Sequence, residues 1–159
     1  EFEYVNKFKK ELILMFGFPA SGKSTIANIL STYHNFALVS NDIHKTKFNK
    51  ILTEQLSNNN MIVIDNTNLA EKNRKQIINL ANKFNYKIRC FVMKTSYEES
   101  FHNNYYRAYV SDRDLISPTA YKFMKNVYTI PKTCEGIDSI EIVSHNFVNT
   151  FEYSYHFPL

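Results

Sequence analysis

Five short apolar runs, at residues 12–16, 36–40, 61–65, 87–93 and 139–143, alternate along the chain with longer stretches in which apolar residues return every three or four positions. Runs without polar alternation predict strands buried on both faces, and the 3.6-residue period predicts helices, expected here at 23–33, 43–56, 70–84, 97–109 and 118–127. The alternation of the two predicts an α/β domain with a parallel sheet covered by helices. In the stretch 70–84, Ile77, Leu80, Ala81 and Phe84 share a face that should pack on the sheet, while Glu71, Arg74 and Lys75 lie off it. Asn58, Asn59 and Asn60 read as a loop before the third strand. After Val143, the residues Phe147, Phe151, Tyr153, Tyr155 and Phe157 alternate with mostly polar ones, as in an antiparallel edge strand or an interaction strip.

With 159 residues, 44% of them hydrophobic and 21% charged, the chain suits one compact domain, residues 1–159, with no room for a second. No run approaches the roughly 18 apolar residues that cross a bilayer, and the N-terminus lacks a secretion signal, so an intracellular protein without a membrane partner is expected. The nuclear or cytoplasmic compartment stays open. The first residue is Glu1, and the chain is read as a piece of a longer protein. Cys90 and Cys134 stand far apart in no metal or redox motif and are expected to be core thiols. His34, His44, His102, His145 and His156 show no metal-ligand spacing. A net charge of +4 permits polyanionic partners without requiring them.

Chemistry enters at Gly17-Phe18-Pro19-Ala20-Ser21-Gly22-Lys23-Ser24, which fits GxxxxGK[ST] and lies between the first strand and the first helix, where a phosphate-binding loop must lie. Successive N–H groups of such a loop turn inward around a β-phosphate at a helix N-terminus. Gly17, Pro19, Ala20, Ser21, Gly22, Lys23, Ser24 and Thr25 are the candidate nucleotide-binding residues, with the Lys23 ammonium on the β- and γ-phosphates and the Ser24 hydroxyl on Mg²⁺. Met61-Ile62-Val63-Ile64-Asp65 ends in a carboxylate that either faces the magnesium shell or only caps the loop Asn66-Thr67-Asn68. Asp42, after the second strand, is either the base for an acceptor hydroxyl or merely the N-cap of the next helix, which carries Lys45 one turn away. The stretch 101–132 reads either as a helical lid bringing Arg107, Arg113, Lys122 and Lys125 over the transferring phosphoryl group, with Tyr105, Tyr106, Tyr109 and Tyr121 interleaved, or as a solvated helix face with structural tyrosines.

Gly17 to Thr25, Val39-Ser40-Asn41-Asp42, Val63-Ile64-Asp65-Asn66-Thr67-Asn68, His102-Asn103-Asn104 with Arg107, and Glu135-Gly136-Ile137 resemble, in that order, the kinase domain of the polynucleotide kinase/3'-phosphatase family. The resemblance implies a P-loop NTPase fold of the adenylate-kinase-like kind, with a five-stranded parallel sheet, flanking helices and a helical lid. It implies Asp42 as the base for a polynucleotide 5'-hydroxyl, ATP and Mg²⁺ held through Lys23 and Ser24 with Asp65, and Arg107 as the lid arginine on the NTP phosphates. Lys45, Thr67 and Asn68 would lie near the acceptor, and residues 130–136 near the adenine. Two departures stand out. Ser40-Asn41-Asp42 replaces the family's Asn-Arg-Asp, and Lys45 stands where the bacteriophage enzyme has an acceptor-binding arginine, so bidentate phosphate contact is lost there. The family's phosphatase motif, Asp-x-Asp-Gly, does not occur, so a phosphatase domain or a ligase would belong to the rest of a parent protein.

The leading expectation is therefore ATP-dependent phosphorylation of 5'-OH DNA or RNA ends for repair or ligation. A P-loop kinase of a small molecule (a nucleoside, a sugar or a nucleotide-sugar) and a catalytically silent nucleotide-binding module are the competing readings.

Overall fold

The computed structural model describes residues 2–144. Strands β1 (Glu11–Phe16), β2 (Ala37–Val39), β3 (Ile62–Ile64), β4 (Lys87–Met93) and β5 (Ser139–Val143) form one sheet in the order β2-β3-β1-β4-β5. Every adjacent pair is parallel; Ile13 lies opposite both Val63 and Arg89. Helices α1 (Lys23–His34), α2 (Asn41–His44), α3 (Phe48–Ser57), α4 (Glu71–Lys83), α5 (Tyr97–Val110) and α6 (Pro118–Val127) fill the connections. β1 is buried throughout and its side chains feed two cores. Leu12, Leu14 and Phe16 meet α3, α4 and Tyr121 on one face, and Ile13 and Met15 meet Ile26 and Leu30 of α1 on the other.

All five strands and four of the five expected helices fall where the hydrophobic pattern put them. The expected helix 43–56 is divided: a four-residue α2 is followed by a 3₁₀ turn, Lys45–Lys47, before α3 starts. Lys45 takes a positive φ of 47°, which interrupts an α-helix. Only from Phe48 do the apolar residues, Phe48, Leu52 and Leu56, form a buried stripe at fourfold spacing.

Three further residues correct or narrow the expectations. Arg74, off the sheet-facing stripe, is fully buried. Its Nε and Nη2 donate to both carboxylate oxygens of Glu135, at 2.7 and 2.8 Å, and its Nη1 donates to the carbonyls of Asn68, Leu69 and Thr129. Cys134 is exposed at a 3₁₀ turn, and only Cys90 is a core thiol. Of the two readings of the aromatics in the 101–132 stretch, Tyr121 takes the structural one, buried beneath the phosphate loop. A second buried ion cluster, at the opposite end of the sheet, joins Arg89 to Glu11 and Glu141, both at 2.9 Å. The aromatic tail after 143, with His145 and His156, lies outside the described residues.

Candidate functional site

The loop between β1 and α1 is held from outside. Gly17 N–H donates to Thr67 O at 3.2 Å. Pro19 O accepts from the hydroxyls of Ser100 and Tyr121, Ala20 O from Asn103 Nδ2 at 3.3 Å, and Ser21 O from Thr95 Oγ1 at 3.0 Å. Three successive carbonyls thus point at protein donors. Among the described residues, no N–H group of residues 20–24 donates to a protein acceptor. Gly22 makes the turn into α1 at φ 97°, a left-handed conformation that glycine adopts without strain. Gly17 is needed for space, because a Cβ there would stand 2.8 Å from Ser21 Oγ and 3.0 Å from Met93 Cβ. The result is a ring of unsatisfied donors at the positive end of a helix, which suits an anion.

Lys23 lies under this ring. Its side chain is buried, and its ammonium donates to Phe18 O at 2.6 Å. Burial pushes its pKa down to about 8; the carboxylates of Asp65 and Asp42 pull it upward and the Arg107 guanidinium pushes it further down. The field at Lys23 therefore carries the charges of three other candidate residues, drawn from the ends of β2 and β3 and from α5. Ser24, half-buried in the first turn of α1, keeps its hydroxyl free of protein partners among the described residues.

Asp42 is not the N-cap of α2. That role belongs to Ser40, whose hydroxyl accepts from Ile43 N–H at 3.2 Å. Asp42 is the second helical residue, is exposed, and has no hydrogen-bond partner among the described residues. α2 is also fixed sideways, since Asn66 Oδ1 accepts from Asn41 N–H at 2.8 Å. Asp65, half-buried at the end of β3, donates its backbone N–H to Val39 O at 3.0 Å. The two carboxylates thus stand at the carboxyl ends of neighbouring strands, where α/β sheets bind ligands.

Arg107 sits half-buried on the inner face of α5. One terminal nitrogen donates to Asn104 Oδ1 at 3.3 Å, and its Nε is buried with no partner. A buried guanidinium donor left open is costly in the free protein and fits an incoming phosphate oxygen. Arg113, Lys122 and Lys125 are exposed, and Lys125 lies over the Tyr97 ring, which itself packs edge-on against Phe18 of the loop. Mg²⁺ binding needs only one or two protein oxygens beside phosphate oxygens, and Ser24 and Asp65 fit that mode. Among the described residues no larger His, Cys, Asp and Glu cluster could hold a metal.

Lys45, Thr67 and Asn68 come together around one cavity of about 380 Å³ between α3 and α4. Lys45 is exposed, and Thr67 is half-buried with its carbonyl bound to Gly17. Asn68 is buried at φ 50°, and its Nδ2 donates to Met15 O at 2.7 Å, which ties this loop to β1. Sequence reasoning missed two participants in the site's construction. Arg74 holds the carbonyls of Asn68 and Leu69 from inside the fold, and Tyr121 anchors the phosphate loop at Pro19.

The family model described as an AAA domain matches residues 45–129, more than half of the chain. The chain belongs to the AAA domain family. It is similar to the bifunctional polynucleotide phosphatase/kinase of Schizosaccharomyces pombe, with 33% identity over 91% of this chain and 37% of the relative. It is also similar to a putative bifunctional polynucleotide phosphatase/kinase of Acanthamoeba polyphaga mimivirus, 34% identical over 87% of this chain and 34% of that protein. The chain thus spans little more than a third of the length of these relatives. The sheet and helices superpose on those of Chaetomium thermophilum Kti12, solved with ADP-AlF3, with a TM-score of 0.67, 15% identity and coverage of 85% of this chain and 89% of that one. A fungal RNA kinase gives a TM-score of 0.66 at 15% identity, covering 92% of this chain and 79% of that one. The fold of this AAA domain is thus that of P-loop kinases. Among the described residues, no helix is long and apolar enough to cross a membrane.

Proposed function

We propose that this chain is the kinase part of a polynucleotide end-processing protein, moving the γ-phosphoryl group of ATP to the 5'-hydroxyl of a DNA or RNA end. The observation that carries the reading is the convergence on Lys23: a buried ammonium under an open ring of N–H donors, within the field of Asp42, Asp65 and Arg107. A silent nucleotide binder needs the ring and the lysine but has no use for an unpaired, exposed carboxylate beside them. The names of the two curated relatives support a polynucleotide acceptor, and their length supports a phosphatase part elsewhere in a parent protein.

In this reading the N–H groups of residues 20–24, Lys23 and Thr25 receive the ATP phosphates. Ser24 and Asp65 would hold Mg²⁺, which screens charge between the β- and γ-phosphates when bound. Asp42 accepts the proton of the 5'-hydroxyl as its oxygen bonds to the γ-phosphorus, and the bond to the β–γ bridging oxygen breaks to leave ADP. Arg107, with its open Nε, covers charge on the equatorial oxygens, where preorganised donors act most strongly. Lys45, Thr67 and Asn68 receive the acceptor.

The test is transfer of labelled γ-phosphate from ATP to matched 5'-OH DNA and RNA oligonucleotides by the wild type and Asp42→Asn. Transfer should fall at least 100-fold in the variant while ATP binding stays within about twofold, since the base contributes to the chemical step alone. Undiminished transfer by the variant would remove Asp42 from the mechanism.

A further inference from the structure

The helix that carries Asp42 is too short to hold itself. α2 has four residues, and Lys45 at φ 47° separates it from α3. Two backbone bonds close it, from His44 N–H to Ser40 O at 2.9 Å and from Lys45 N–H to Asn41 O. The donors at its N-terminus must be met from outside the helix. Ser40 Oγ accepts from Ile43 N–H at 3.2 Å, and Asn66 Oδ1 accepts from Asn41 N–H at 2.8 Å. A third side chain completes the set: His44 Nδ1 accepts from Ser40 N–H at 3.2 Å. Ser40 is buried, and among the described residues its N–H finds no other acceptor.

His44 Nδ1 also lies 3.1 Å from Ser40 O, to which a protonated Nδ1 would donate instead. Ser40 O already accepts from the backbone of His44, whereas Ser40 N–H would then be a buried donor without a partner, the costlier outcome. The hydrogen bonding therefore selects the tautomer with its proton on Nε2 and a lone pair on Nδ1. In that form His44 does what the acidic residue of a capping box does, returning a side-chain acceptor to the N–H of the N-cap. It does so without charge. A glutamate in that role would put a second negative charge beside Asp42, against an incoming triphosphate; the imidazole meets the donor and leaves Asp42 the only carboxylate of α2. Resting on the kinase reading above, we propose that His44 is a positioning residue: through Nδ1 and Ser40 N–H it fixes α2, and with it the direction from which Asp42 meets the 5'-hydroxyl.

The experiment measures kcat and KM for ATP, with a saturating 5'-OH oligonucleotide, in the wild type, His44→Asn and His44→Leu, with urea unfolding of each. Asparagine carries Oδ1 on Cγ where histidine carries Nδ1; leucine branches at the same atom and offers no acceptor. Leucine is the better helix former, so propensity alone favours the leucine variant and the proposal favours the asparagine one. In His44→Leu, kcat should fall about tenfold or more with KM for ATP within about twofold, as for a base held out of line, and His44→Asn should keep kcat within about threefold of the wild type. Nitrogen-15 NMR of the His44 ring in the free wild type, which needs no turnover, should find the proton on Nε2. Wild-type kcat in His44→Leu would overturn the positioning role and leave the kinase reading standing. Equal losses in the two variants, or a loss confined to KM for ATP, would also overturn it, and so would a proton on Nδ1. No transfer by the wild type, with the proton found on Nε2, would overturn the kinase reading and His44's part in transfer with it.

Discussion

Replacing Lys23 by Met should make the free protein more stable while destroying its grip on ATP. The ammonium is charged at neutral pH inside the fold, and burial lowers its pKa from 10.5 to about 8, with Asp65 and Asp42 opposing that and Arg107 adding to it. At about 1.4 kcal/mol per pH unit, the gap between 10.5 and about 8 corresponds to about 3 kcal/mol of unfavourable charge burial. Methionine keeps most of the aliphatic stem and none of the charge. It gives up the 2.6 Å bond to Phe18 O, at a cost of about 1 kcal/mol. The net gain is about 2 kcal/mol, or roughly 4–8 °C in Tm for a domain of this size. The pH dependence has a definite sign. Below pH 8 both the folded and unfolded wild type hold the Lys23 proton and the cost is present in full; between about 8 and 10.5 only the unfolded chain holds it, so wild-type stability climbs with pH and the advantage of Lys23→Met shrinks. Urea unfolding at pH 7 and pH 9.5, with ATP affinity measured alongside, reads all three quantities. A variant less stable than the wild type at pH 7, or a stability difference that does not change with pH, would refute the reasoning.

Arg74→Ala should cost about 3–5 kcal/mol in urea unfolding, since it strands the nearly buried Glu135 carboxylate, 7% exposed, and three carbonyls. Burial raises the Glu135 carboxyl, but the hydrogen bonds from Arg74 and from Lys132 N–H outweigh that and hold it below the ordinary range; the stability gap between wild type and Glu135→Gln should therefore narrow as pH falls through the acid range. Ser40→Ala should remove about 1 kcal/mol by uncapping α2 and lower kcat more than it raises KM for ATP, because Asp42 rides on that helix. Tyr121→Phe deletes the hydroxyl that donates to Pro19 O at 2.7 Å while Ser100 keeps its bond there; stability should drop by about 1 kcal/mol, with KM for ATP rising several-fold and kcat nearly unchanged.

Sequence pattern was informative wherever structure is decided locally. The strands are dominated by Ile, Val, Leu and Phe, with β3 wholly so, and GxxxxGK[ST] places a loop between strand and helix by its own geometry. It failed where distant residues decide. Arg74 looks like a surface residue on any helical projection, yet its partners Thr129 and Glu135 lie 55 and 61 positions away and convert the off-face position into the centre of a polar core. The break at Lys45 has no proline or glycine to announce it. Asp42 could be separated from an N-cap role only by seeing that Ser40, two residues earlier, already caps the helix. The asparagines of the cavity left no signal either, because in a chain rich in asparagine nothing distinguishes Asn49 or Asn73 from surface residues until α3 and α4 bring them to one cavity.

Under the proposed function, the arrangement of α5 bears on how Arg107 would meet the ATP phosphates. Ser100, Asn103, Asn104 and Arg107 recur at helical spacing on one face. Two of these, Ser100 and Asn103, bond directly to phosphate-loop carbonyls, and a third, Asn104, bonds to both backbone groups of Ile116 and to Arg107 itself. The face that carries Arg107 is thus tied to the phosphate loop along two turns of helix. A stretch that reads as one mobile lid from 101 to 132 accordingly has a root fixed to the phosphate loop. What is left exposed is the connection at residues 111–115 and the outer face of α6, where Phe123 is 67% exposed. A cation that travels with a lid pays ordering entropy at each turnover; one held on the loop's own scaffold is preorganised, and its unpartnered Nε is the cost of keeping it so before nucleotide arrives.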